Sequence, residues 1–326
     1  MADISIMPLA EVDQTLTERI FDEQCEEWIS RLRWDYSEPS RLLRSVLRKG
    51  ELTGLIAITK PAIGDAAADG FSFYVVEGTR ASIGDIYVSA PHRGSGADKE
   101  LLLAILSKLE TLPRLRRIES QSVSFDNQGA DQVFLSRGFE RFERRFMIAP
   151  LSRGVVPEPA PALLATRADT IRIRPWREDD YSGAVRTIFR SYRGEDDSRI
   201  NSQYGSEEGC AELLSILTDT VWCGRFLPEA SRVAASNVSG NQVAVLIASR
   251  MSPDTAHLGQ ISVLPAYQGR GIGRRLIQSA IAELSTRGFT GATLAVTATN
   301  SRAVSLYESC GFSTVHSFPV YYWRRK

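Results

Sequence analysis

Only four cysteines occur in the 326 residues, Cys25, Cys210, Cys223 and Cys310, far apart and without a C-x-x-C pair. That spacing excludes a zinc ribbon and a secreted disulfide framework, and it fits thiols kept reduced in a cytosol. Net charge is also missing: Lys+Arg and Asp+Glu stand at 39 each, so no whole-chain field draws the protein toward nucleic acid or an anionic membrane. No apolar run approaches the roughly 18 residues a membrane span needs. The start, "MADISIMPLAEVDQ", has neither the basic nor the apolar region of a signal peptide. The expectation is a cytoplasmic protein with no metal site and no nucleic-acid or membrane partner.

What is present is an ordinary globular composition, 43% hydrophobic and 24% charged, in a chain long enough for two domains. The stretch 151–170, "LSRGVVPEPAPALLATRADT", places Pro157, Pro159 and Pro161 at alternate positions among small residues. Each proline fixes its own φ and disfavours helix before it, which predicts a semi-extended linker between domains 1–150 and 171–326. The halves can be laid on each other. "IYVSAPHRGSGADKELL" matches "ISVLPAYQGRGIGRRLI", aligning Val88 with Val263, Arg93 with Gln268, Gly96 with Gly271 and Leu101 with Leu276 in one register. "NQGADQVFLSRGF" matches "NSRAVSLYESCGF", aligning Asn127 with Asn300, Ala130 with Ala303, Phe134 with Tyr307 and Gly138 with Gly311 in a register shorter by two. We read a tandem duplication. Strands alternate with helical segments in both copies, which predicts an α/β (α+β) fold with a mixed central sheet flanked by helices.

The second half holds the more suggestive chemistry. Pro265 ends a strand, Gly269, Gly271 and Gly273 follow, and Ile272, Leu276, Ile277, Ala280, Ile281 and Leu284 then recur at helical spacing up to Gly288, a C-cap signal. A bare helix start with free backbone N–H groups is an anion site, and Arg270, Arg274 and Arg275 add charge beside it. The spacing fails a Walker loop, which needs Lys-Ser or Lys-Thr, and fails a dinucleotide fingerprint, which needs glycine where Arg274 stands. Downstream, Asn300 is a good N-cap, with Ala303 and Tyr307 on the same helix face and Gly311 at its end.

The pattern Gln268-x-x-Gly271-x-Gly273 after a strand, together with the Asn–Ala–Tyr helix, resembles the GNAT N-acyltransferases. In tandem form it is similar in architecture to the two-domain mycothiol synthase type. The resemblance implies acetyl-coenzyme A (or another acyl-coenzyme A) as co-substrate. Its pyrophosphate would lie on Gln268, Gly269, Arg270, Gly271, Ile272, Gly273 and Arg274, its pantetheine against Asn300 and Ala303, and its amides and acyl carbonyl on the backbone of Ile261, Ser262 and Val263. It also implies that Tyr307 is the general acid, a phenol able to protonate a departing thiolate. Relatives carry a glutamate base on the strand before the loop; here "HLGQISV" offers Gly259 and Gln260, so His257 or a water relay takes that place. The polar segment 190–209 is where an acceptor amine, on a small molecule or a peptide, would bind. Glu195, Asp196 and Asp197 would hold an ammonium, and Asn201, Gln203 and Tyr204 would orient it. A non-catalytic acyl-coenzyme A sensor is the alternative. In the first half Asp98 replaces the last glycine and Phe134 the tyrosine, while Asp85 sits near the place of the missing acid. We expect that copy to refuse the pyrophosphate, because a carboxylate at a helix start fills the same partial positive charge.

Overall fold

The structure, a computed structural model, describes residues 4–51, 53–59, 67–126, 128–151 and 171–325. The expected linker after Leu151, and Asn127, lie outside the described residues. The chain forms two compact units: Met1–Arg31, Tyr36–Arg144 and Phe318–Lys326 make one, and Leu32–Asp35 and Arg145–Ser317 make the other. Each unit thus takes a short segment from the far part of the sequence.

The first unit contains β1 (Ile4–Pro8), α1 (Gln14–Leu32), α2 (Ser37–Arg48), β2 (Thr53–Thr59), β3 (Ala67–Glu77), β4 (Arg80–Val88), α3 (Ala97–Glu110), β5 (Arg117–Ser120), α4 (Gln128–Ser136) and the start of β6 (Glu140–Pro150). β1 to β4 form an antiparallel meander and β5 runs parallel to β4. The last neighbour of β5 is antiparallel and comes from the far end of the sequence, with Tyr321 opposite Ser120 and Arg324 opposite Arg117.

The second unit holds β7 (Ile171–Pro175), α5 (Tyr181–Ser191), α6 (Asp196–Ile200), α7 (Glu207–Asp219), β8 (Arg225–Phe226), β9 (Arg232–Ser236), β10 (Gln242–Arg250), β11 (Thr255–Val263), α8 (Ile272–Thr286), β12 (Gly291–Thr297), α9 (Ser301–Ser309) and the start of β13 (Ser313–Arg324). Its sheet runs β7-β9-β10-β11-β12-β6, with β8 beside β10. The continuous apolar run of β10 is buried on both faces, as a central strand between two helical layers must be. Leu246 and Ala248 face the α8 core, whereas Val245 and Ile247 face α5 and α7. Every apolar position read on α8 is buried, and Gly288 takes the left-handed conformation (φ +84°) that ends it.

Two local features of β11 create the site. Ile247 pairs with Gln260 but Ala248 pairs with Leu258, so Gly259 is an extra residue, a β-bulge that bends the strand. The parallel ladder to β12 runs only from Thr255/Gly291 to His257/Thr293. Among the described residues β11 has no strand partner on that side beyond His257, which leaves main-chain groups open from the bulge to the Val263 N–H. The first unit repeats the bulge at Gly84 and Asp85, the matching place in its strand, and its parallel ladder stops at Ile83/Ser120.

Candidate active site

Beyond the open edge of β11 the chain makes a short 3-10 turn, Pro265–Tyr267, and enters the glycine loop. Gly269 and Gly271 have φ of +74° and +72°, which a side chain would strain. Gly271 is the N-cap of α8 and no side chain caps that helix, so its first amides are offered outward. Gly273 serves a different purpose. It is inside the helix, and a Cβ there would come within 3.1 Å of Leu306 Cδ2 on α9. The missing side chain lets α8 and α9 approach closely.

Side chains around the loop mostly brace it. Gln268 Nε2 donates to the Val263 carbonyl (2.9 Å), tying loop to strand. Arg274 reaches the end of α9 through Ser309 Oγ (2.8 Å), Arg275 donates to the Ile171 carbonyl (3.2 Å), and Arg270 lies over the Tyr267 ring (5.1 Å). Uncapped amides, left-handed glycines and an unpaired strand edge in sequence fit a long ligand with an anionic portion such as acyl-coenzyme A. Ile261 and Val263 pack into the core while Gln260 and Ser262 turn to the opposite face.

Asn300 Oδ1 accepts from the Ala303 N–H (3.1 Å), capping α9, and Tyr307 follows on that helix, buried and edge-on to Phe312. Burial, then the nearby Tyr192 and Asp197, push the Tyr307 hydroxyl well above the ordinary phenol range, so it stays protonated. The acidic segment is folded onto the same end of the unit: Thr297 Oγ1 donates to Asp197 Oδ1 and Thr299 Oγ1 to Asp196 Oδ2, both at 2.8 Å. Glu195 is exposed, at the start of α6. Asn201 serves locally, accepting from the Gln203 N–H at 2.9 Å.

Tyr192, which residue spacing alone did not single out, proves central. Its ring stacks on Tyr204 (centroids 3.9 Å apart, 9° between planes). Gln260 Nε2 donates to Tyr192 Oη (3.0 Å) and Ser262 Oγ (2.8 Å), and Gln260 Oε1 accepts from Tyr204 Oη (3.1 Å). Gln260 is a buried amide clamp for two tyrosines. The signal available in the sequence was the pair Tyr192 and Tyr204 flanking the acidic run.

His257 is not brought to this cluster. It sits in the closed part of the ladder, its ring parallel to those of Trp34 (6.1 Å) and Phe146 (6.2 Å), with Nδ1 against Thr293 Oγ1 at 3.0 Å. Burial pulls its pKa down to about 4, far too low to take a proton from an ammonium.

The first unit's copy is built differently. Asp98 turns inward, Oδ2 accepting from the Ala130 N–H at 2.8 Å, and so caps α4. Arg93, in the place of Gln268, pairs with Glu27. Phe134 stacks on Tyr321 (4.0 Å), and the slot between β4 and β5 that they line has a volume of only about 10 Å³. Asp85 is buried, holding Gln24 Nε2 (2.9 Å) and Tyr36 Oη (3.1 Å), and burial raises its pKa.

Among the described residues no cluster of His, Cys, Asp and Glu is arranged to hold a metal, and no helix is long and apolar enough to cross a membrane. The model of the acetyltransferase (GNAT) family matches residues 9–139 and 200–312. The [ribosomal protein bS18]-alanine N-acetyltransferase of Salmonella typhimurium is 41% identical over 73 residues, 22% of this chain and 49% of that protein. The mycothiol acetyltransferase of Renibacterium salmoninarum is 39% identical over 64 residues, 18% of this chain and 19% of that protein. The alignments therefore span less than half the length of these curated relatives. Among solved structures, a GCN5-related N-acetyltransferase from Sphaerobacter thermophilus shares the fold (TM-score 0.65, 16% identity, 98% of this chain and 95% of that one). So does a tandem GNAT protein from the clavulanic acid biosynthesis pathway (TM-score 0.59, 13% identity, 99% and 98% covered).

Proposed function

Because the chain belongs to the acetyltransferase (GNAT) family, with the family pattern present twice, we propose that its second unit transfers an acetyl group from acetyl-coenzyme A to a primary amine on a small molecule or peptide. One observation carries this reading: the open edge of β11, the uncapped start of α8 and the protonated Tyr307 belong to one β11–α8–β12–α9 run within a single unit.

The backbone of Ile261–Val263, the amides from Arg270 to Arg274 and the Asn300–Ala303 turn would hold the co-substrate. When bound, it supplies the acetyl group as an activated thioester. Tyr307 Oη delivers its proton to the departing sulfur, and its raised pKa keeps that proton available across the physiological range. Asp197 draws in the acceptor as an ammonium. With His257 set beside the rings of Trp34 and Phe146, away from the cluster, and Gln260 an amide, the acceptor loses its protons to water. The first unit is the non-transferring copy, since its slot is filled by Phe134 and Tyr321 and its loop carboxylate is engaged with α4.

The test is thiol release from acetyl-coenzyme A with a panel of amines, for the full chain and for Tyr307→Phe. We expect the variant to lose about 10²-fold or more in kcat with cofactor affinity unchanged. We also expect one cofactor bound per chain. Tight binding with no thiol released from any amine would replace this reading with an acyl-coenzyme A sensor.

A further inference from the structure

We propose that the second unit carries a separate cationic pocket that binds a phosphate or carboxylate group. The pocket has a volume of about 330 Å³ and is walled by α5, the turn between β9 and β10, and the turn that follows β11. Arg186 and Arg190 line it from α5, one helical turn apart and therefore on one face. Both are exposed, and neither has an ion-pair partner among the described residues. No lining residue is Asp or Glu.

The wall supplies neutral donors as well. Asn241 and Tyr267 line it, and Gln242 Nε2 is a buried donor with no acceptor among the described residues. The Gln242 amide is wedged against α5: a Cβ at Gly183 would come within 2.6 Å of Gln242 Oε1, so the helix is glycine there to admit it. A buried N–H left unpaired is costly, and an oxygen anion in the pocket would give it an acceptor. Two guanidiniums without carboxylates beside an unpaired amide donor call for an oxygen anion. Arginine forks suit phosphate and carboxylate geometry.

Tyr267 and Leu264 place this pocket at the entrance to the glycine loop, so the anion has two possible sources: the 3′-phosphate of coenzyme A, or an acidic group on the acceptor itself. Binding at the pocket does not depend on the transfer reaction. The test uses the full chain with nitrogen-15 NMR of the Gln242 side-chain amide and the Arg186 and Arg190 Nε–H groups, Gln242→Met providing the amide assignment. Inorganic phosphate should shift these signals saturably, and Arg186→Gln with Arg190→Gln should weaken that binding by about tenfold or more. Both arginines are exposed, so the double variant keeps the fold. Coenzyme A shifting the signals where 3′-dephospho-coenzyme A does not identifies the cofactor phosphate; glucosamine 6-phosphate doing so where glucosamine does not identifies an acidic acceptor. Signals unmoved by phosphate, coenzyme A and glucosamine 6-phosphate, or shifts that survive the double substitution, overturn the proposal.

Discussion

Placing aspartate at position 273 would give the second unit the residue its sister carries, and the two environments differ enough to forecast the result. In the first unit the Asp98 carboxylate is at home because residue 129 is glycine, whose Cβ would lie 2.7 Å from Asp98 Oδ1, and because the Ala130 N–H is free to donate. In the second unit the corresponding positions are Arg302 and Ala303, and the Ala303 N–H is already taken by Asn300 Oδ1 at 3.1 Å. A carboxylate on residue 273 therefore has no inward seat and stays at the start of α8. There it faces the anion. Unit charges about 5 Å apart at an effective dielectric of about 20 repel by about 3 kcal/mol, which is roughly 150-fold in affinity. The substitution also moves Leu306, 3.1 Å from the ideal Cβ, so Gly273→Ala is the control that carries the steric cost without the charge. Calorimetry with coenzyme A at low and high salt reads both. We expect Gly273→Ala to bind within a few-fold of the wild type, and Gly273→Asp to bind about 10²-fold more weakly at low salt, with part of the loss screened at high salt. Equal affinities for the two variants would refute the electrostatic reasoning.

Other expectations follow from the same geometry. Asp98→Ala orphans the buried Ala130 N–H and should cost the first unit about 1–3 kcal/mol in urea unfolding, without creating a second coenzyme A site, because Phe134 and Tyr321 still fill the slot. Asp197→Asn should raise KM for the amine about tenfold or more while leaving coenzyme A affinity unchanged in calorimetry. His257 has a folded pKa of about 4 against 6.5 for the free side chain. The unfolded chain therefore binds the extra proton as pH falls below 6.5, and stability is lost between about pH 6.5 and 4, by up to about 3 kcal/mol. His257→Phe should remove that share of the pH dependence in denaturant melts at pH 7 and 5.

Much of the second unit was legible in its sequence because the signals are local. Helical spacing of apolar residues marks α8, Asn300 marks the cap of α9, and the glycines mark the loop. Gly259 was in view, but its role as a bulge depends on how β10 pairs with β11, which is a tertiary fact. The sequence position of Asp98 predicts a carboxylate filling the dipole of its own helix; instead it caps α4, where Gly129 leaves room for it. His257 lies on the strand before the loop, yet Trp34 and Phe146, distant in sequence, align their rings with it away from the cluster. The stacking of Tyr192 on Tyr204 was hidden for the same reason: it needs the chain to return over β11 so that Gln260 can hold both.

The strand that completes the first unit's sheet, Tyr321–Arg324 against β5, has a consequence for how the protein is made. A ribosome emits the chain from its N-terminus, and domains generally fold as they emerge. Here the edge of β5 that receives this strand waits while all of the second unit is translated. Until residue 324 has left the exit tunnel, the earliest-made unit carries a bare strand edge, the template for mispairing with another nascent chain.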